Sequence, residues 1–205
     1  MKRKIHEKEV RKKIIKAARE LFLEQGFHQT TIRQITQKAS ISTGTLYHFY
    51  QDKEDIFFHI AEETFLRVIQ KAEELAKDES IYLRLAFELA LHIQAFLKNR
   101  NTAELYVIAY GSYRISEEVI KKQQMRMELL FGNKKHFPTK EDIMLRSLTI
   151  KGYLHALALK AMNEEHLQPD QIIANSAQLM LQLYHVSEAE ITSTLKSLKA
   201  MKMGS

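Results

Sequence analysis

"TTIRQITQKASISTGTLYHFYQDKEDIF", residues Thr30 to Phe57, packs three helix starts into 28 residues. Thr31 stands before Ile32, Ile35 and Ala39 at helical spacing, and Gln34 follows it by three, the pattern of a capping box. Ser40-Ile41 reads as a tight turn, and Ser42 caps a segment of only two turns, Thr43 to Tyr50. Asp52 caps the next helix, with Glu54 and Asp55 in its first turn to complement the dipole. A two-turn helix is marginal in water, so the middle one has to be carried by packing. Leu46 and Phe49, with Ile41 from the turn, supply the inward face. Thr43, Thr45, Tyr47 and His48 are left on the outer side.

Upstream, the spacing predicts a helix from about Glu7 to Gln25, with Val10, Ile14, Ala17, Ala18, Leu21 and Phe22 as its buried stripe. Gly26 suits the left-handed position after its last turn, and Phe27 the hydrophobic contact that closes it. Basic residues cover the remaining faces. Residues 1–50 hold 11 Lys/Arg against 4 Asp/Glu, whereas residues 51–205 hold 20 against 21, so the net charge of +6 resides in the first quarter. A basic segment on a neutral body points to a polyanion partner. Three short helices, the second and third joined by a tight turn, form a helix-turn-helix, whose second motif helix enters a major groove of DNA. Ser42, Thr43, Thr45, Tyr47 and His48 are then the candidate DNA contacts. Gly44 allows close backbone approach, and Lys53 lies at a helix N-terminus whose free N–H groups favour a phosphate. Thr31 and Arg33, at the start of the second helix, are further phosphate candidates.

From Ile14 through Phe57 these residues resemble the DNA-binding signature of TetR-type transcriptional repressors. Gly26-Phe27, Thr30-Thr31, Ile35, Ala39, Gly44-Thr45-Leu46-Tyr47, Phe49-Tyr50 and Lys53-Glu54 fall in the expected order without gaps. One departure is local: Thr43 stands where many relatives carry a basic or amide side chain, so no bidentate base contact is expected from it. The resemblance implies a homodimer on double-stranded operator DNA, with an N-terminal reading head and a larger helical domain that binds a small effector and dimerises. The corresponding domains are 1–53 and 54–205. Function is then that of a ligand-responsive regulator, a repressor released from a palindromic operator by a small lipophilic or aromatic effector. An activator or architectural DNA-binding protein with the same head is the alternative, and an all-α enzyme stands far behind.

The rest of the chain supports an all-α reading. Apolar residues recur at helical spacing, with no alternating strand pattern. Further helices are expected at about 53–76, 80–98, 102–114, 116–131, 140–163, 169–185 and 188–201. Gly132 to Pro138 reads as a loop, Thr139 and Asp142 as a capping start, and Pro169 as a first-turn residue. In the second domain His92, Phe96, Tyr106, Tyr110, Tyr113, Met125 and Tyr153 are candidate ligand-binding residues. Tyr106, Tyr110 and Tyr113, at i, i+4 and i+7, would stack three hydroxyls on one helix face. Gly152, Ala156 and Leu159 on one helix, with Ile173, Leu179 and Leu183 on the next, suit a four-helix dimer seam.

Several chemistries find no support. The chain has no cysteine, which excludes disulfides and thiolate metal sites. None of the nine histidines is paired at three or four residues, so no metal and no cofactor is expected. No nucleophile–base pair or paired-carboxylate site suggests catalysis. No run approaches the roughly 20 apolar residues of a membrane span; Leu85 to Leu97, the most apolar piece, is broken by Glu88, His92 and Gln94. The charged MKRKIHEKEVRKK start lacks the apolar stretch of a signal peptide, so a cytoplasmic location is expected.

Overall fold

A computed structural model of the protein describes residues 2–131, 139–164 and 167–200. The expected loop from Gly132 to Pro138 lies outside the described residues. Ten α-helices run through them with no strand: α1 Lys2–Gln25, α2 Ile32–Ala39, α3 Thr43–Phe49, α4 Lys53–Leu75, α5 Ile81–Leu97, α6 Arg100–Gly111, α7 Tyr113–Phe131, α8 Lys140–Asn163, α9 Pro169–Leu183 and α10 Glu188–Ala200. None is long and apolar enough to cross a membrane. The chain divides into two compact units at Thr64/Phe65, within α4. The expected boundary at 53/54 is the start of that helix. The first three turns of α4 therefore count with the first unit, because Ile56, Phe57, Ile60 and Ala61 are buried.

In the first unit α1 packs on α2, and α2 on α3. The core is built on rings: Phe22 lies 5.2 Å from Phe27 and 5.9 Å from Phe57, and Phe27 lies 5.3 Å from Phe57, all between centroids. Gly26 takes φ 86, a value that an L side chain resists, and its N–H closes on the Phe22 carbonyl at 3.0 Å. Thr31 caps α2 with the full reciprocal box. Ser42 caps α3, accepting from the Thr45 amide at 3.0 Å. Asp52 caps α4 by accepting from the Asp55 amide at 2.6 Å.

The second unit centres on α5, which packs against α6, α8, α9 and α10. Leu83, Ala86, Phe87, Ala90, Ile93 and Phe96 are all buried, so α5 is apolar on most of its circumference. Helix α8 packs on α6 and α7. It opens on a Thr139–Asp142 capping box, and α9 opens with Pro169 in its first turn. Between α6 and α7 the chain breaks earlier than the apolar spacing suggests. Ser112 leaves the helix in extended conformation, and its hydroxyl accepts from the Ile115 amide at 3.4 Å. Gly111 is thus the last residue of α6 rather than a mid-helix kink. A poor helix former followed by a capping serine stops one helix and starts the next.

Candidate nucleic-acid interface and effector cavity

Helix α3 is held from behind and open in front. Leu46 is fully buried and Tyr50 nearly so, while Ile41 and Phe49 are half-buried. Arg11 of α1 lies over the Phe49 and Tyr50 rings, at 4.9 and 5.6 Å from their centroids. Sequence reading treated Arg11 only as part of the basic face; its position one helix turn before Ile14 and Ile15 gave no sign of this stacking. Burial raises the Tyr50 phenol above its ordinary pKa, and the Arg11 guanidinium acts against that rise. On the open side Ser42, Thr43, Gly44, Tyr47 and His48 are exposed, Tyr47 by 54 %, and Thr45 is half-buried. Thr31 and Arg33 are exposed at the start of α2. The Thr31 hydroxyl is at the same time committed to the Gln34 amide and side chain.

Gly44 has no steric reason inside the protein. A Cβ there would come no closer than 3.8 Å to the Ser42 hydroxyl, an ordinary contact. What a side chain would obstruct is an approach from outside.

Lys53 departs from its expected place among the phosphate contacts. Its ammonium donates to the Phe27 carbonyl at 2.8 Å and the Thr30 carbonyl at 2.9 Å, and lies 4.2 Å from the Phe27 ring centroid. At most one of its three N–H groups is left for a phosphate. The lysine ties the start of α4 to the turn between α1 and α2.

In the second unit a cavity of about 90 Å³ opens among α4 to α8 and Tyr184, just after α9. Phe65, Ala109, Ile115, Ile120, Ile150 and Leu154 supply apolar wall. Glu88 and His92, one turn apart on α5, face it together, joined by Tyr110, Gln123, Ser147, Lys151 and Tyr184. Glu88 is paired with Arg126, which also lies 3.9 Å from Glu73. Burial raises the Glu88 carboxyl's pKa, and the Arg126 charge opposes the rise. Burial lowers that of His92 to about 4, so the ring is neutral at pH 7; its Nδ1 is 3.0 Å from the Tyr106 hydroxyl. Tyr184 is pushed up to about 12, by burial first, with the Arg146 charge opposing and that of Glu88 adding.

Of the expected ligand residues, the structure brings His92 and Tyr110 to this cavity. Tyr106 stands behind His92, and Phe96 packs in the core 5.4 Å from the Tyr106 ring. Tyr153 turns to α9, its hydroxyl 2.6 Å from that of Ser176. Tyr113 and Met125 are surface residues, 79 % and 58 % exposed, because the break at Ser112 takes Tyr113 off the α6 face. Sequence reading missed Tyr184 and Lys151 as lining residues, since no local pattern reports two helices converging. Among the described residues no group of His, Asp and Glu could hold a metal ion.

Of the expected seam, Gly152, Ala156 and Leu159 on α8 and Leu179 on α9 are exposed, and Leu183 is half-buried. Ile173 is instead only 4 % exposed and belongs to the core of its own unit, which removes it from the seam. Leu145 and Leu148 are also exposed on α8, on the stripe that continues through Gly152, Ala156 and Leu159. A Cβ at Gly152 would meet nothing within 4 Å.

A capped two-turn helix presented by two others, beside a basic α1, defines a helix-turn-helix DNA-binding head. Within this unit residues 14–60 match the family of bacterial regulatory proteins described as the tetR family. It is 52 % identical over 50 residues to the HTH-type transcriptional regulator HbdR of Aromatoleum sp. (strain CIB), covering 24 % of this chain and 22 % of that one. It is 31 % identical over 91 residues to the fatty acid metabolism regulator protein of Bacillus subtilis (strain 168), covering 44 % and 47 %. The chain thus matches less than half the length of these curated relatives. The fold likeness extends further. The crystal structure of RolR in complex with resorcinol superposes with a TM-score of 0.72 over 93 % of this chain and 94 % of that one, at 24 % identity.

Proposed function

We propose that the protein is a ligand-responsive transcriptional repressor that acts in the cytoplasm as a homodimer on a palindromic operator, by binding rather than catalysis. The carrying observation is the open face of α3, where exposed Thr43, Gly44, Tyr47 and His48 stand on a buried Leu46 anchor beside the basic α1. Residues 1–53 serve as the reading head, and residues 54–205 bind the effector and dimerise through the exposed α8 and α9 residues. Tyr47 and Arg33 contact phosphates, and Thr45 and His48 reach base edges.

Release follows from the chain's connectivity. Phe65, a wall of the cavity, lies on the same helix as the Lys53 clamp of the head. A ligand that fills the cavity shifts α4 and carries the two heads of the dimer off the spacing of about 34–36 Å between successive major-groove half-sites. Linkage makes this reciprocal, so a ligand that weakens operator binding about tenfold is itself weakened about tenfold by operator.

The test is selection of binding sites from random DNA with the full-length protein, followed by deletion of its gene. A recovered inverted repeat, found upstream of genes whose expression rises on deletion, is the expected result. Falling expression would make the protein an activator, and recovery of unrelated sequences would end the operator reading.

A further inference from the structure

The cavity of the second unit carries polar groups that the fold itself leaves unused. The Tyr184 hydroxyl is buried in its wall and has no hydrogen-bond partner among the described residues. Glu88 lines the same space, and its bond from the Arg126 Nη1 reaches one carboxylate oxygen, Oε2. A carboxylate offers about four lone-pair sites, so most of its accepting capacity remains. A buried donor and an acceptor with capacity to spare thus belong to two residues that line one small cavity.

We propose that the effector is a small neutral hydroxylated ring, a phenol or polyhydroxybenzene, whose hydroxyl donates to Glu88 and accepts from Tyr184. This rests on the ligand-responsive reading given above. A ring hydroxyl serves both partners at once. A carboxylate ligand has no proton to donate to Glu88. An ammonium has no lone pair for the Tyr184 proton. Glu88 and Arg126 cancel in charge, so this pair favours no ion. Lys151, half-buried in the same wall, can donate to a second ring hydroxyl. Size agrees. About 90 Å³ is of the same order as the ~150 Å³ apolar cavity that takes benzene. Phe65, Ile150 and Leu154 supply the apolar wall for its body.

The experiment is calorimetry and thermal melting of the full-length protein with phenol, resorcinol, benzoate and decanoate, each repeated with operator DNA. Resorcinol and phenol are expected to bind and raise Tm, with benzoate and decanoate silent at the same concentrations. Tyr184→Phe is expected to melt no lower than the wild type without ligand, because it removes an unpartnered hydroxyl, yet to bind resorcinol about tenfold more weakly. A purely structural Tyr184 would give the opposite pair of results. Glu88→Gln, which also loosens Arg126, serves as the second variant and should weaken resorcinol binding as well.

Binding of benzoate or decanoate with the phenols silent overturns the proposed class; if that ligand also releases DNA, ligand response itself stands. Undiminished resorcinol binding by Tyr184→Phe, or silence of all four compounds, overturns it too. Phenols that bind without changing operator affinity support the class and remove the repressor-release reading instead.

Discussion

Gly44 and His92 show two different reasons for a residue to stand where it does. Glycine lowers helix stability by roughly 0.5–1 kcal/mol relative to alanine, and nothing within the fold requires one at 44. Gly44→Ala should therefore raise the melting temperature slightly while weakening operator binding, and melting with a DNA titration on the same preparation checks both. A variant that binds DNA unchanged would place the approach of the backbone elsewhere. His92 answers to the interior. Its folded pKa of about 4 lies below the ordinary 6.5, so the unfolded chain takes up the proton first as pH falls. Stability is then lost between about pH 6.5 and 4, by up to about 3 kcal/mol, and levels off below. Urea unfolding across that range should show the slope, and His92→Gln should flatten it.

At the scale of the element, α3 illustrates a helix that exists by support. Leu46 is its buried anchor, and Leu46→Ala should cost about 2–5 kcal/mol and remove DNA binding with the motif. The Lys53 clamp makes a different prediction from a phosphate contact. Lys53→Ala should lower the stability of the head and leave the salt dependence of DNA binding nearly unchanged, whereas loss of a phosphate contact would shallow the slope by about one. The helix starts were legible because caps are local: Thr31, Ser42 and Thr139 each declare themselves within four residues. The outward face of α3 was legible for the same reason. Tyr113 was misplaced because the apolar spacing continues across Gly111-Ser112, where the chain stops one helix and caps another. The Lys53 clamp was not legible because its partners, the Phe27 and Thr30 carbonyls, lie more than twenty residues away. The cavity was half legible. His92 and Tyr110 were among the residues expected there, but Glu88 stood out only as a break in an apolar run, and Tyr184 reaches them only through the tertiary fold.

At the scale of the molecule, the proposed palindromic operator needs two heads, and the seam proposed to join them is the exposed face of α8. Leu145, Leu148 and Leu159 are exposed along it, with Gly152 and Ala156 between them. Ala156→Arg should turn the dimer into a monomer with unchanged helix content, as read by sedimentation and circular dichroism. A dimer that survives the change would move the seam to another face. In the proposed dimer the basic excess of residues 1–50 would draw each head to DNA. The most direct test of a two-headed, DNA-reading repressor is equilibrium binding of the full-length protein to its selected palindrome, a half-site and random DNA, at rising salt. Two protomers per palindrome are predicted, with a log–log salt slope on the order of −5 or steeper and clear preference over random sequence. Equal affinity for all three DNAs, or a flat response to salt, would contradict it.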